Sequence, residues 1–195
     1  MSEPLARLVA VTRTVYLTAT SFDGYIADPD HSLQWLFDAD DHDGDHGIGE
    51  FLEGVGAVCM GRTTYEWVLR HERVADDAHW ARQFGGRPVF VFAHAPVPRF
   101  AGVDVVEGDV RAVHARMTDA ARGRDLWVVG GGDLAGQLAD AGLLDEVRLS
   151  IAPVALGAGA PLLPRRLLAD RVHLEEVGRS GPFVQVTYRL GAPGS

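Results

Sequence analysis

A run of three glycines between an apolar segment and a helical one constrains this sequence more than any other feature. Residues 126–129 form a short apolar run, glycines follow at 130–132, and Leu134, Leu138 and Ala141 then recur at helical spacing. Strand, glycine turn and helix in this order place unobstructed backbone N–H groups at a helix N-terminus, which is the geometry that holds a phosphate. A tight strand-to-helix turn that binds no ligand would use the same residues. The choice between these two interpretations therefore depends on the rest of the sequence.

Composition and charge narrow the classes of function. The 195 residues carry a net charge of −9, which argues against nucleic acid or an anionic membrane as the main partner. All 18 basic residues are arginine, so Schiff-base chemistry and a phosphate-binding lysine are excluded. Cys59 is the single cysteine and lies among apolar neighbours, which predicts a buried strand thiol and no multi-cysteine metal site. With no apolar run of ~20 residues and no convincing signal peptide, we expect a cytoplasmic protein.

Strand-like and helical patterns alternate through residue 151, which predicts an α/β fold with a mainly parallel sheet between helices. Strands are predicted at 14–20, 54–60, 87–92, 103–106, 126–129 and 145–151. Helices are predicted over 65–73 and along the apolar face formed by Val110, Val113, Met117 and Ala121, whereas 75–86 is interpreted as irregular. An antiparallel hairpin, with arms at 172–178 and 184–190, ends the chain. The whole of 1–195 is predicted to be one domain with its core at 14–190.

A second strand-to-helix junction lies at residues 61–64, where a glycine precedes Arg62, Thr63 and Thr64. Either threonine can cap the helix, and the arginine offers a fork of donors to a phosphate. Ordinary capping beside a surface arginine is the alternative interpretation. Ligands of open α/β sheets bind at the carboxyl ends of strands, where both glycine turns, residues 21–24 and His94 are expected. A dinucleotide could span them, and Arg62 with His94 would favour NADPH over NADH, although the G-x-G-x-x-G fingerprint is absent.

The acidic tract at 38–46 is open to three interpretations. It could be a solvated loop that leads into a helix at 49–54. It could be a calcium loop, since Asp41, Asp43, Gly44 and Glu50 fall at the third, fifth, sixth and twelfth positions, but Ala39 holds the first position. In the third interpretation, one carboxylate of the tract faces a bound heterocycle.

Four motifs together resemble the dihydrofolate-reductase-like superfamily. In chain order they are Ser21-x-Asp-Gly-x-Ile-Ala27, Met60-Gly-Arg-Thr-Thr-Tyr65, Val128-Val-Gly-Gly-Gly-Asp-Leu134 and Pro153-Val-Ala-Leu-Gly-Ala-Gly159. They are most similar to the C-terminal reductase domain of the bifunctional riboflavin-biosynthesis deaminase–reductase and its stand-alone relatives, over most of residues 14–190. The resemblance implies a three-layer dihydrofolate-reductase-like fold, NADPH as the cofactor, no metal and a homodimer. The zinc-binding deaminase half has no counterpart in this sequence.

The resemblance also implies roles for individual residues. The adenosine-side phosphates of NADPH would be bound by Gly61, Arg62, Thr63 and Thr64. The pyrophosphate would be held by Gly130, Gly131, Gly132, Asp133 and Leu134, with a cis peptide between the first two glycines. Ala19 and Ile26 would lie beside the nicotinamide, and Asp23 and Gly24 would belong to the loop that closes over it. His94 stands where many relatives carry a hydroxyl group.

The implied chemistry is hydride transfer from C4 of NADPH to a C=N or C=O carbon of a small heterocycle. That substrate would resemble a ribosylaminopyrimidine, as in the riboflavin pathway, or a pterin. In folate reductases a carboxylate shortly after a tryptophan anchors the pterin, and Asp40 or Asp41 after Trp35 could take that place. Asp23 and Asp40 are therefore the candidate catalytic residues. A nucleotide-binding module of the same fold without turnover is the alternative, and a calcium-responsive protein is a third hypothesis.

Overall fold

In the computed structural model, which describes residues 12–39 and 47–192, the apolar runs of the sequence form strands of a central sheet. The strands are β1 (Thr14–Ser21), β2 (Tyr25–Ala27), β3 (Val55–Gly61), β4 (Val89–Phe92), β5 (Val103–Val106), β6 (Asp125–Gly130), β7 (Glu146–Ala152), β8 (Ala160–Pro161), β9 (Val172–Ser180) and β10 (Phe183–Leu190). The helices are α1 (Gln34–Ala39), α2 (Ile48–Gly54), α3 (Arg62–His71), α4 (Asp77–Phe84), α5 (Val110–Ala121) and α6 (Gly132–Asp140).

The sheet has eight strands in the order β5-β4-β3-β6-β1-β7-β10-β9. All neighbours from β5 to β7 run parallel, and β10 and β9 add an antiparallel hairpin. This arrangement confirms the predicted fold class. Since β3 and β6 are parallel neighbours in the middle of the sheet, their carboxyl ends lie side by side at one edge. That adjacency positions the candidate site.

A hydrophobic core fills each side of the sheet. On one side, α5 and α6 pack against the sheet through buried residues such as Met117 and Leu138, next to Cys59 on β3. The four apolar residues of the predicted α5 face are all buried. Burial raises the pKa of the Cys59 thiol to about 12, as expected for an unreactive strand cysteine. On the other side, Tyr65 and Trp80 from α3 and α4 cover the sheet.

The prediction of an irregular stretch at 75–86 is wrong, because α4 lies there. The Asp76 side chain accepts a hydrogen bond from the backbone N–H of His79 at 2.8 Å and caps the helix. Trp80 and Phe84, one turn apart, then bury the apolar face, and the Trp80 ring meets Tyr65 edge-on at 5.2 Å. Their burial stabilises a helix whose other positions are polar or alanine.

A small second sheet was also not predicted. Strands β2 and β8 pair antiparallel across the edge where the glycine turns lie. Each is too short to be recognised from its own sequence, since only the partner strand gives it hydrogen bonds. No helix among the described residues is long and apolar enough to cross a membrane.

Candidate active site

The two glycine turns meet at the carboxyl edge of the sheet. A Cβ atom at Gly61 would lie 3.8 Å from the backbone nitrogen of Gly131, and one at Gly130 would lie 3.1 Å from the Oγ1 of Thr64. The Gly130–Gly131 peptide is cis, as the resemblance implies. The turns that the sequence placed at one sheet edge are therefore in contact.

Both turns open helices whose first residues receive no side-chain cap. Helix α3 begins after Gly61 and α6 after Gly131, and both glycines have extended backbones, with φ near −80° and ψ near 170°. The prediction that Thr63 or Thr64 caps α3 is wrong, because both threonines already lie within the first turn of the helix. The amides of these first turns consequently have no side-chain acceptor at the cap position. Such amides are suited to bind an anion.

The third glycine of the triplet, which also lines the cleft, is required for close packing. A Cβ at Gly132 would lie 2.3 Å from the carbonyl oxygen of Pro161 and 2.4 Å from that of Leu162. By contrast, a Cβ at Gly131 would meet no atom within 4 Å. Gly132 therefore lets α6 approach β8, whereas Gly131 faces open space.

A cleft of about 730 Å³ lies over both turns. It is lined by every residue that the resemblance assigned to cofactor binding apart from the closing loop: Ala19, Ile26, Gly61, Arg62, Thr63, Thr64, His94, Gly130, Gly131, Gly132, Asp133 and Leu134. These residues come from four separate parts of the chain, so the fold brings together a set that the sequence only grouped by motif. Binding itself remains a prediction.

Arg62 is the first residue of α3 and lies in the wall of this cleft. Its Nε donates to the Glu66 carboxylate at 2.7 Å, and the two side chains are 47% and 33% exposed. An exposed pair one helical turn apart contributes only about 0.5 kcal/mol. The guanidinium can therefore turn to a phosphate at little cost.

The carboxylate of Asp133 lies in the first turn of α6, in the wall of the cleft. Its two oxygens accept hydrogen bonds from Gln137 at 2.8 Å and from Arg165 at 2.9 Å. These bonds keep the pKa of Asp133 below its ordinary value, the bond from Gln137 contributing most. Arg165 also donates to Asp140 at 2.7 Å. Its positive charge offsets the negative charge of Asp133 at the start of α6.

Asp23, one of the two candidate catalytic residues, is not part of the cleft wall. Its carboxylate accepts from the Ser21 hydroxyl at 2.5 Å, from the Gly157 N–H at 2.7 Å and from the Leu156 N–H at 3.1 Å. These bonds, the one from Ser21 foremost, lower the pKa of Asp23 below its ordinary value. An ionised carboxylate with its acceptor sites occupied is suited to join two loops and unsuited to donate a proton. We therefore assign Asp23 an anchoring position.

Asp40, the other candidate, and the acidic residues at 41–46 lie outside the described residues. The calcium interpretation depends on Asp41, Asp43 and Gly44 and cannot be placed on the structure. Of its flanking positions, Ala39 ends α1 and Glu50 lies in α2. Within 12–39 and 47–192, no group of three or more histidine, cysteine or acidic side chains could hold a metal ion.

One wall of the cleft was not recognised in the sequence. It consists of apolar and aromatic side chains from β1, from α1 and the residue before it, and from α2 and α3. We call this set the apolar wall: Leu17, Leu33, Leu36, Phe37, Ile48 and Trp67. Helical spacing at 33–37 and an isolated aromatic in α3 are typical of core residues, so the sequence carried no signal for a ligand wall. Trp127 also borders the cleft, and its Nε1 donates to the carbonyl of Leu17 at 3.1 Å.

Residues 68–186 match the family described as the RibD C-terminal domain. This chain belongs to that family. It is 30% identical to the uncharacterized protein YwjB of Bacillus subtilis (strain 168) over 177 residues. The aligned region covers 90% of this chain and 97% of YwjB. The membership confirms the resemblance to riboflavin-biosynthesis reductase domains.

Solved structures of a putative riboflavin biosynthesis protein and of a dihydrofolate reductase share the fold. A putative riboflavin biosynthesis protein from Shewanella sp. PV-4 is 26% identical, with a TM-score of 0.74 over 92% of this chain and 99% of that one. Dihydrofolate reductase from Enterococcus faecalis, solved in complex with NADP(H), is 15% identical, with a TM-score of 0.58 over 92% of this chain and 96% of that one. The second likeness concerns the fold alone. Together they confirm the predicted superfamily.

Proposed function

We propose that this protein is an NADPH-dependent reductase that transfers hydride to a small heterocyclic substrate of the ribosylaminopyrimidine or pterin type. One observation carries the proposal. Two glycine turns from adjacent parallel strands direct two helix N-termini without side-chain caps toward a single cleft. Two phosphate-binding positions so close together fit a dinucleotide. Membership of the RibD C-terminal domain family supports an oxidoreductase with this type of cofactor.

The proposed cofactor position follows from the charges at the cleft. The partial positive charge at the start of α6 would face the pyrophosphate, because Gly131 leaves open space there. Arg62 and the amides at the start of α3 would face the adenosine-side phosphates, with His94 nearby. Ala19 and Ile26, at the end of β1 and in β2, would then flank the nicotinamide. When bound, NADPH would supply the hydride, and these residues would orient its ring.

Asp40 stays the proposed proton source, because the described cleft residues offer no carboxylate beside the apolar wall. The two carboxylates that line the cleft, Glu107 and Asp133, follow β5 and open α6. A homodimer in the cytoplasm belongs to the same proposal, and sedimentation of the purified chain tests its oligomeric state.

Tryptophan emission tests cofactor binding, since Trp67 and Trp127 both line the cleft. We expect NADPH to bind more tightly than NADH. Arg62→Ala should weaken NADPH binding about tenfold, or ~1.4 kcal/mol, and leave NADH nearly unchanged, because only NADPH carries the additional phosphate. Arg70→Ala, an exposed arginine on the same helix, is the matched control. If the folded protein binds neither nucleotide, the proposal fails.

The second candidate is a nucleotide-binding module without turnover. It is favoured because the described residues that line the cleft include no carboxylate in the elements that form the apolar wall. Tight binding of NADPH, with no oxidation in the presence of pterins or aminouracil ribosides and ribotides, would support it. Oxidation with any of these compounds would remove it.

A further inference from the structure

The lining of the cleft divides into two chemically different parts. One part consists of the glycine turns with their helix N-termini, and it contains the charged side chains of Arg62 and Asp133. The other is the apolar wall, whose residues belong to neither turn. If the cofactor occupies the turns, the molecule that accepts hydride has to lie against the apolar wall, since both must share one cleft. The inference below therefore rests on the proposed function.

Aromatic stacking holds two members of this wall in a fixed orientation. The His71 ring lies 4.5 Å from that of Trp67 and 5.0 Å from that of Phe37, centroid to centroid, and the planes are within 13° of parallel. The Phe37 and Trp67 rings are themselves 6.5 Å apart and stacked. This stack fastens α1 to α3. Because Phe37 and Trp67 also line the cleft, the stack gives it a fixed aromatic side, and aromatic side chains pack favourably against planar rings.

The charges around the cleft disfavour an anionic group beside this wall. Arg13 and Arg148, which line a neighbouring pocket together with Leu17 and Ile48, are already paired with carboxylates. Among the described residues that line the cleft, the side chains with a permanent charge are Arg62, Glu107 and Asp133. The single cation among them opens α3 and is paired with Glu66. The sequence at 40–46, between α1 and α2, contains neither arginine nor lysine. A phosphate or carboxylate held against the apolar wall would therefore lose water without gaining a cationic partner, which is unfavourable.

From this distribution we infer that the acceptor is an uncharged, planar, conjugated ring without a phosphate or carboxylate substituent. Its apolar face would pack against Phe37, Trp67 and Leu36. When bound, NADPH would supply the hydride to the carbon of a C=N bond and become NADP⁺, and the nitrogen would take a proton from the proton source proposed above. Phosphorylated ribosylaminopyrimidines and folates with a glutamate tail would both be poor substrates.

Matched pairs of compounds test the inference on the unaltered protein. A methylated dihydropterin and dihydrofolate share one reducible ring, but only dihydrofolate carries the glutamate dianion. An aminouracil riboside and its phosphate form the second pair. In at least one pair, we expect kcat/KM for NADPH oxidation to be about tenfold higher with the uncharged compound than with the charged one. In neither pair should the charged compound be the better substrate. Where no oxidation occurs, the same preference should be found in binding to the NADP⁺ complex.

The outcomes separate the inference from the proposed function. Equal use of both members, preference for a charged member, or binding of no member to the NADP⁺ complex overturns the inference. Failure to bind NADPH in the tryptophan titration overturns the proposed function instead. Thus a protein that binds NADPH and prefers the phosphorylated riboside would remain a reductase with a different acceptor.

A pair of arginine variants on α1 provides a second test. Leu36→Arg places a cation in the apolar wall and should shift the preference about tenfold toward the charged member of each pair. Gln34→Arg adds the same charge at an exposed position of the same helix and should leave the preference unchanged. Thermal melting shows whether each variant is folded. If Leu36→Arg does not fold, the compound pairs on the unaltered protein still decide.

Discussion

Helices α4 and α5 begin differently from α3 and α6. In α4 and α5 an aspartate caps the helix: Asp76 accepts from the N–H of His79, and Asp109 from that of Arg111, each at 2.8 Å. In α3 and α6 a glycine, Gly61 or Gly131, occupies the cap position and offers no acceptor. The second pair opens onto the cleft. The capping aspartates of the first pair do not line it, although the cap residue of α5 directly follows the lining residues Glu107 and Gly108.

The difference shows that α3 and α6 lack the stabilisation of a side-chain cap at the helix starts where the backbone amides are open to the cleft. A side-chain cap typically contributes about 1 kcal/mol over alanine, because it satisfies amides that otherwise lack a partner. At the cleft such a carboxylate would occupy the amides and repel a phosphate. Glycine leaves both the amides and the space in front of them accessible. Uncapped helix starts at the edge of a sheet thus mark the site more clearly than any single motif.

The largest effect on stability is expected from Gly132→Ala. This variant tests the close packing of α6 against β8, in the same turn in which Gly131 faces open space. The new methyl group would overlap the carbonyl oxygens of Pro161 and Leu162, and backbone atoms cannot rotate away. We expect a loss of about 3 kcal/mol in the free energy of unfolding, measured by urea denaturation. Gly131→Ala, which meets no atom within 4 Å, is the control and should stay close to the parent. Equal stability of the two variants would show that α6 does not need its close contact with β8.

The next effect comes from giving α3 the type of cap that α4 has. Gly61→Asp should fold, because its Cβ would have no neighbour closer than 3.8 Å. Its carboxylate would occupy the first amides of α3, and we expect about a hundredfold weaker NADPH binding, ~2.7 kcal/mol, by fluorescence titration. Gly61→Asn supplies an uncharged cap and should lose less affinity. Unchanged affinity in the aspartate variant would mean that no phosphate lies at this helix start.

The reverse change removes a cap from a helix away from the cleft. Asp76→Ala should reduce the free energy of unfolding by about 1 kcal/mol, since the His79 amide loses its acceptor. NADPH affinity should stay the same, because Asp76 does not line the cleft. Thermal melting and the tryptophan titration measure the two effects on one sample. A change in affinity would contradict the division between the two pairs of helices.

The smallest effect concerns Asp23, an aspartate that accepts hydrogen bonds from backbone amides in a loop rather than at a helix start. Its folded-state pKa is below the ordinary 3.8, so ionisation stabilises the folded state above that pH, and the contribution disappears as pH falls through the lower, folded value. Asp23→Asn should therefore melt slightly below the parent at neutral pH, and the difference should shrink in acid. A difference that grows in acid would rule out the ionised anchor.

The sequence predicted the sheet and the glycine turns because their signals are local. The apolar run at 126–129 and the apolar face of α5 can each be recognised from a short stretch of sequence, without knowledge of distant contacts. Helix α4 was missed because its polar positions dominate the pattern, although Asp76 and the spacing of Trp80 and Phe84 are a cap and an apolar stripe. Strands β2 and β8 could not be predicted, since each exists through a partner far away in the chain.

The candidate site was only half recognisable from the sequence, for a physical reason. Phosphate turns need glycines and a cation at fixed spacing, so residues such as Arg62 and Gly131 can be identified from their order. The apolar wall uses the same residue types as a core, and Phe37 and Trp67 became lining residues only when α1 met α3. The role of Asp23 likewise depended on a contact with Gly157 across the fold.

The burial of Cys59 also makes the chain well suited to site-specific labelling. Its thiol is fully inaccessible and almost wholly protonated at neutral pH, so maleimide reagents should not modify it in the native protein. A cysteine introduced on the surface would then be the single reactive thiol without removal of the native one. Because the sequence has no lysine, amine-reactive dyes should in turn attach at the N-terminal amine. One donor and one acceptor dye could therefore be placed independently, and the distance between them followed as ligands enter the cleft.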